Sequence, residues 1–285
     1  DHEEDEHEEE GAALAMKLST WTYDIKNTLH TKGDFEQVIG VQGLFQDNKN
    51  NGIELLIPDA NITDIGLYWL GHLHKDKLDV QLGLRYDHRS IDSQSYTITH
   101  EGEALEAVDA VSRSCNSLNL SLGANYALSA STALKHNVAS GFRAPNLSEM
   151  TSNGIHHGTN RFERGNKNLK SEKGVQLDAG LHYDTEKFSF EIDGFFYGRL
   201  NDYIFLQPTG EIEDGALVYE YRQADATMLG TELMAHYHPT EKFHLKSSFE
   251  WLQGELDSGE NLPLQPAPEW KNEFGWDFNA ETNAF

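Results

Sequence analysis

Two groups of side chains carry metal-binding chemistry. The chain opens Asp1-His2-Glu3-Glu4-Asp5-Glu6-His7-Glu8-Glu9-Glu10, eight carboxylates and two imidazoles in ten residues. Imidazole with carboxylate suits zinc, nickel or copper, and carboxylate alone suits calcium or magnesium. His2, His7, Glu3 and Glu6 are therefore candidate ligands. The competing reading is a solvated acidic loop, which is what most charge runs are. A flexible tract also loses ordering entropy when it closes on an ion. The second group is His156 and His157, adjacent in a long loop. Neighbouring side chains in an extended loop diverge, so one of the two could face a ligand. The plainer alternative is a packing role within the loop.

The elements that must position these residues are strands. Leu118, Leu120, Leu122, Ala124, Tyr126 and Leu128 alternate with Asn119, Ser121, Gly123, Asn125 and Ala127. The same two-residue period runs through 78–86, 175–183, 188–192 and 243–251. It is the signature of strands with one apolar and one polar face, and no 3.6-residue stripe fits these segments. About ten residues at roughly 3.3 Å each, tilted about 45°, rise roughly 23 Å, the height of a transmembrane barrel's apolar band. Tight polar turns begin at 75, 129, 184 and 239, giving spacings of 54, 55 and 55 residues that each hold two strands and one long loop. Short turns at one end and long loops at the other are the outer-membrane pattern. The expected class is all-β: a partial antiparallel transmembrane β-barrel of about eleven strands. Approximate spans are 14–29, 34–47, 62–74, 77–90, 116–128, 131–144, 173–184, 187–205, 216–238, 241–256 and 268–280. Eleven is odd, whereas bacterial single-chain barrels have even counts, so the chain reads as part of a barrel.

Strand parity then sets the ends. Counting back from the turn at Lys75 puts residues 1–11 at the cell surface, as the remnant of an extracellular loop, with 12–285 forming the barrel portion. His72, His74, His182, His236 and His238 each lie one to three residues before a short turn, on the polar face. They should line the periplasmic end of the lumen. Contact with whatever fills the lumen is the plainer reading, and a metal relay the sharper one. Tyr86, Tyr126, Tyr183, Tyr237, Trp69 and Trp251 fall on apolar faces, as an interfacial aromatic girdle would.

Composition agrees once the period is known. Lys and Arg number 22 against 47 Asp and Glu, a net charge of −25. Such a surface repels phosphate backbones, so nucleic acid is not an expected partner. No apolar run reaches the roughly 18 residues of a transmembrane helix, but a barrel alternates its faces and averages out hydrophilic. Cys115, the single cysteine, excludes a disulfide framework within the chain and falls in the long 87–117 loop.

Three runs carry a recognisable pattern. Gly141-Phe142-Arg143-Ala144-Pro145-Asn146-Leu147-Ser148-Glu149 leaves a strand; Gly165-Asn166-Lys167-Asn168-Leu169-Lys170-Ser171-Glu172 closes the loop that follows; Leu262-Pro263-Leu264-Gln265-Pro266 precedes the last strand. Together they resemble the C-terminal half of the barrel of TonB-dependent outer-membrane receptors, over essentially the whole chain. Lys167 and Ser171 stand where that family's second run usually has proline. The resemblance implies a 22-stranded barrel in the outer membrane of a Gram-negative bacterium, filled by a plug domain. It implies no enzymatic step and no resident cofactor. The transported ligand would be a scarce nutrient such as a zinc ion, a ferric complex, haem, a siderophore or a glycan. The implied partners are outer-membrane lipid, the plug of the same protein and the TonB energy-coupling complex. No segment here resembles the plug or the coupling segment, so this stretch is not expected to transport by itself. Some zinc receptors of that type carry His/Asp-rich outer loops, which adds weight to the opening tract. A passive, porin-like barrel with cation-binding loops is the alternative from another class. Turn chemistry alone gives the motif prolines and glycines a structural role.

Overall fold

The computed structural model describes residues 15–30, 33–51, 57–100, 103–156 and 158–278. Eleven long strands form one curved antiparallel wall: β1 (Met16–His30), β2 (Phe35–Asn50), β3 (Ala60–Lys75), β4 (Leu78–Ser93), β7 (Ser112–Ser129), β8 (Thr132–Arg143), β11 (Glu172–Asp184), β12 (Phe188–Glu213), β13 (Ala216–Thr240), β14 (Phe243–Leu256) and β15 (Glu269–Trp276). Each pairs with its predecessor in the wall, giving a partial barrel of simple up-and-down order. Four short strands and one helical turn belong to the long loops: β5 (Tyr96–His100), β6 (Glu103–Val108), α1 (Leu147–Thr151), β9 (Asn153–His156) and β10 (Arg161–Arg164).

The expected alternation fixes two faces. Leu118, Leu120 and Leu122 lie opposite Tyr86, Leu84 and Leu82 on the outer face, and are 63%, 58% and 48% exposed. A contiguous apolar surface of that kind is not stable in water and calls for an apolar solvent. Trp21, Trp270 and Trp276 continue it towards both edges of the sheet. The inner face is a polar lattice. Asp24 accepts from Tyr68 Oη at 3.1 Å and from Gln42 Nε2 at 3.2 Å, while Arg85 donates to Gln42 at 2.8 Å and to both oxygens of Asp87. Arg89 clamps Asp64 on the same face. These rungs tie strands β1 to β4 across the register and need only water or polar partners beyond them.

The buried apolar core sits at the long-loop end. Ile91, Leu147, Met150, Leu169 and Ile204 form one cluster with Ala60 and Val111, beyond the exposed apolar band of the wall. Among the described residues β1 and β15 each pair on one side only, and a bare edge of this kind is prohibitive in lipid without a partner strand.

Three expectations need correction. Cys115 is not in a loop: β7 begins at Ser112 and buries the thiol on the inner face. Strand β12 runs eight residues beyond the expected 187–205, to Glu213, whereas β13 keeps its expected start and ends at Thr240; the two form a hairpin of 26- and 25-residue strands. The loop expected between 145 and 172 contains α1, β9 and β10. The short β10 lies parallel to the projecting part of β13, so the hairpin and β9–β10 make a small sheet above the wall.

Candidate functional site

Residues of the first two recognisable runs meet at the long-loop end. Arg143 closes β8 and donates from Nη1 to both oxygens of Glu149, at 2.8 and 2.9 Å. Its Nε and Nη2 reach the two oxygens of Glu172, which opens β11, at 2.6 and 2.8 Å. The paired carboxylates, Glu172 foremost, hold the guanidinium well above its ordinary pKa. Glu149 also completes a capping box: Asn146 Oδ1 accepts from Glu149 N, and Glu149 Oε2 accepts from Asn146 N. The two runs are thus one ionic clamp around α1.

Backbone contacts finish it. A Cβ at Gly165 would stand 2.7 Å from Met150 C and Thr151 N, so only glycine lets the returning chain pass so close to α1. There Gly165 N donates to Ser152 O and Asn166 N to Glu149 O. Arg113, from β7, donates to the carbonyls of Lys167 and Leu169. In the third run Leu262 is buried against Ala226 and Leu256, and Gln265 bonds both backbone groups of Gly254. All three runs therefore build loop architecture, as turn chemistry suggested.

The clamp delivers the segment carrying the candidate histidines. Thr151 ends α1 and Asn153 starts β9, whose last residue is His156. The backbone places His156 opposite Arg161 of β10. His157 lies outside the described residues, as do His2, Glu3, Glu6 and His7. Among the described residues no group of three or more histidine, cysteine or carboxylate side chains is arranged to hold a metal ion. Nearby, Tyr221 is half-buried and bonds Glu163 at 3.1 Å; burial first, then that carboxylate, pushes its phenol up to about 12. Arg164 bridges Glu211, Glu213 and Glu220 on the opposite face of the same small sheet.

The inner-face histidines sit where parity placed them, each beside a short turn. His72 Nε2 and His74 Nδ1 both turn to Asp79 Oδ1, at 3.0 and 2.8 Å. His182 faces Glu191 at 3.9 Å. His244, beside His238, bonds Asp277 at 3.0 Å, and His30 lies 3.8 Å from Glu36. The carboxylate partners and the last two imidazoles escaped sequence reasoning, although His30 and His244 share the parity and depth of the others.

Comparison with known proteins follows the same lines. The family model "TonB dependent receptor-like, beta-barrel" matches residues 10–284. The Heme/hemopexin utilization protein C of Haemophilus influenzae (strain 86-028NP) is 30% identical over 228 residues. That match takes in 72% of this chain but 30% of the relative, so the chain spans about 30% of its length. Among solved structures, the copper transporter OprC superposes with a TM-score of 0.78 at 20% identity, over 93% of this chain and 43% of that one. The Serratia marcescens hemophore receptor HasR, solved as a double mutant with its hemophore HasA and heme, gives 0.67 at 15% identity, over 84% and 42%. At these identities the structures attest the fold alone.

Proposed function

The chain belongs to the TonB-dependent receptor β-barrel family, and from that premise we propose that it is the C-terminal barrel portion of an outer-membrane receptor that imports an iron chelate, haem foremost. The observation that carries the reading is the 30% identity, spread over 72% of the chain, to a protein named for haem and hemopexin utilisation. The wall supports the membrane part of the proposal: an apolar outer face and a polar inner face. Its partners are outer-membrane lipid, a plug domain seated against the inner-face lattice, and the TonB complex acting through the plug. The family's proteins are receptors and transporters, and the chain is not an enzyme.

Within this reading His156 and His157 are the side chains to supply an axial nitrogen to haem iron, a usual ligand for that metal. The test is hemin titration of the full-length receptor in detergent, followed by its Soret band. Wild type should show a saturable shift, and His156→Ala with His157→Ala should weaken binding on the order of tenfold or more, the scale of losing a metal ligand's support. Saturable binding by wild type with an unaltered double variant removes the histidines from the site.

The opening tract supports a second role. Eight carboxylates with His2 and His7 favour capture of a divalent cation at the cell surface. Calorimetry with zinc should show binding that disappears when residues 1–10 are deleted from the full receptor. Indistinguishable isotherms leave the tract as a solvated loop.

A further inference from the structure

The small sheet above the wall buries an apolar cluster on one face; its other face is buried at Glu163 and open at Leu217 and Ile212. Phe162, Ala216 and Val218 are buried together with Ile155 against them. Residues paired directly across strands share a face. The register sets His156 opposite Arg161, Arg161 beside Leu217, Glu163 beside Tyr219 and Leu217 opposite Ile212. All of these positions lie on the face opposite the packed one. There the Arg161 guanidinium sits 5.4 Å from the centre of the Tyr219 ring, while its Nε donates to Glu163 Oε1 at 2.8 Å. Leu217 and Ile212 continue the surface as exposed apolar groups, Ile212 at 75%. This face is therefore an aromatic and aliphatic floor, half-buried at Tyr219 and open at Leu217 and Ile212, with a cation over the ring at one side.

We propose that this face is the binding platform for a planar conjugated ligand bearing carboxylates, a metalloporphyrin. Tyr219, Leu217 and Ile212 cover the ring, and Arg161 takes a ring carboxylate. The arrangement suits the task physically. The contact over the Tyr219 ring and the bond to Glu163 hold the guanidinium in place before the ligand arrives. Glu163 occupies Nε, and the two Nη atoms form the edge that matches a planar carboxylate. The backbone register sets the sequence position of the candidate iron ligand, 156, next to that cation. The inference rests on the haem reading and assigns to it residues that sequence reasoning did not find.

Three probes separate the parts: hemin, hemin dimethyl ester and metal-free protoporphyrin IX, each titrated into the full-length receptor in detergent. Arg161→Gln should weaken hemin and protoporphyrin roughly tenfold, the scale of one charge-assisted contact, and leave the ester unchanged. Arg161→Lys, which keeps the charge but loses the fork, should fall between. Tyr219→Ala should weaken all three probes. Equal loss of acid and ester in Arg161→Gln assigns that residue a structural role and overturns the platform. Wild-type hemin binding that survives both Arg161→Gln and Tyr219→Ala also overturns it, while the haem reading stands. A wild type that takes up none of the three overturns both.

Discussion

Arg143→Ala should unlatch the loop between β8 and β11 while leaving the wall intact. The guanidinium makes four hydrogen bonds to two carboxylates whose side chains are only 10% and 14% exposed. Removing one partner of a buried ion pair strands the other charge, at about 3–5 kcal/mol. Arg143 itself is 42% exposed, so water recovers part of that loss and about 2–3 kcal/mol is the better figure. That corresponds to a roughly hundredfold larger population of the opened loop. The opening should be local, because the clamp and the Leu147–Met150–Leu169 cluster lie beyond the exposed apolar band of the wall. Hydrogen exchange of the full receptor in detergent reads it directly: amides of 147–152 and 165–169 lose protection, and those of β4 and β7 keep theirs. Arg143→Lys should rescue little, since a point charge cannot bond two carboxylates with the geometry of a planar fork. Unchanged protection in Arg143→Ala would show that the buried apolar cluster alone holds the loop.

The reach of sequence reasoning follows from this geometry. The eleven wall strands were legible because each lies between an apolar and a polar environment, and Leu118 to Leu128 write that difference out residue by residue. The signal fails where the difference ends. In the projecting hairpin, register shifts between Tyr197 and Leu200, Leu200 and Tyr203, and Pro208 and Ile212 break the period. At Ser112–Ser117 the residues on both faces are polar or small, with no apolar alternation, so Cys115 read as loop. The clamp shows another limit. Arg143, Glu149 and Glu172 all stand inside the recognised runs, but their pairing closes a 29-residue separation that periodicity does not encode. The platform is less visible still. Its strand β10 has four residues, and its partner in β13 lies 56 positions later, joined in parallel. Only the histidine positions 156 and 157 showed through, as residue types without neighbours.

Leu122→Arg should destabilise the receptor, and Gly123→Arg should not. The two positions are adjacent in β7, at one depth, and point to opposite faces. Leu122 lies opposite Leu82 on the apolar face and is 48% exposed. An arginine on the lipid side near the bilayer midplane costs about 2–4 kcal/mol. Gly123 faces the inner lattice, where an added Cβ finds only ordinary contacts with Asn137 and Gln81 at 3.6 and 3.9 Å. An arginine there extends among polar groups, where a lumen-facing charge alters the interior's polarity rather than the wall's stability. The measurement is urea-dependent folding of the full-length receptor into lipid vesicles, comparing midpoints for the two variants. Both variants place the same arginine in the same strand at one depth, so the solvent on each side is the main variable. Equal shifts would mean that the outer face does not meet lipid and that another protein surface covers Leu118, Leu120 and Leu122. A shift confined to Leu122→Arg ties the apolar face to the bilayer. It thereby sets the inner lattice, the histidines beside the short turns and the clamped outer loop on one transmembrane axis.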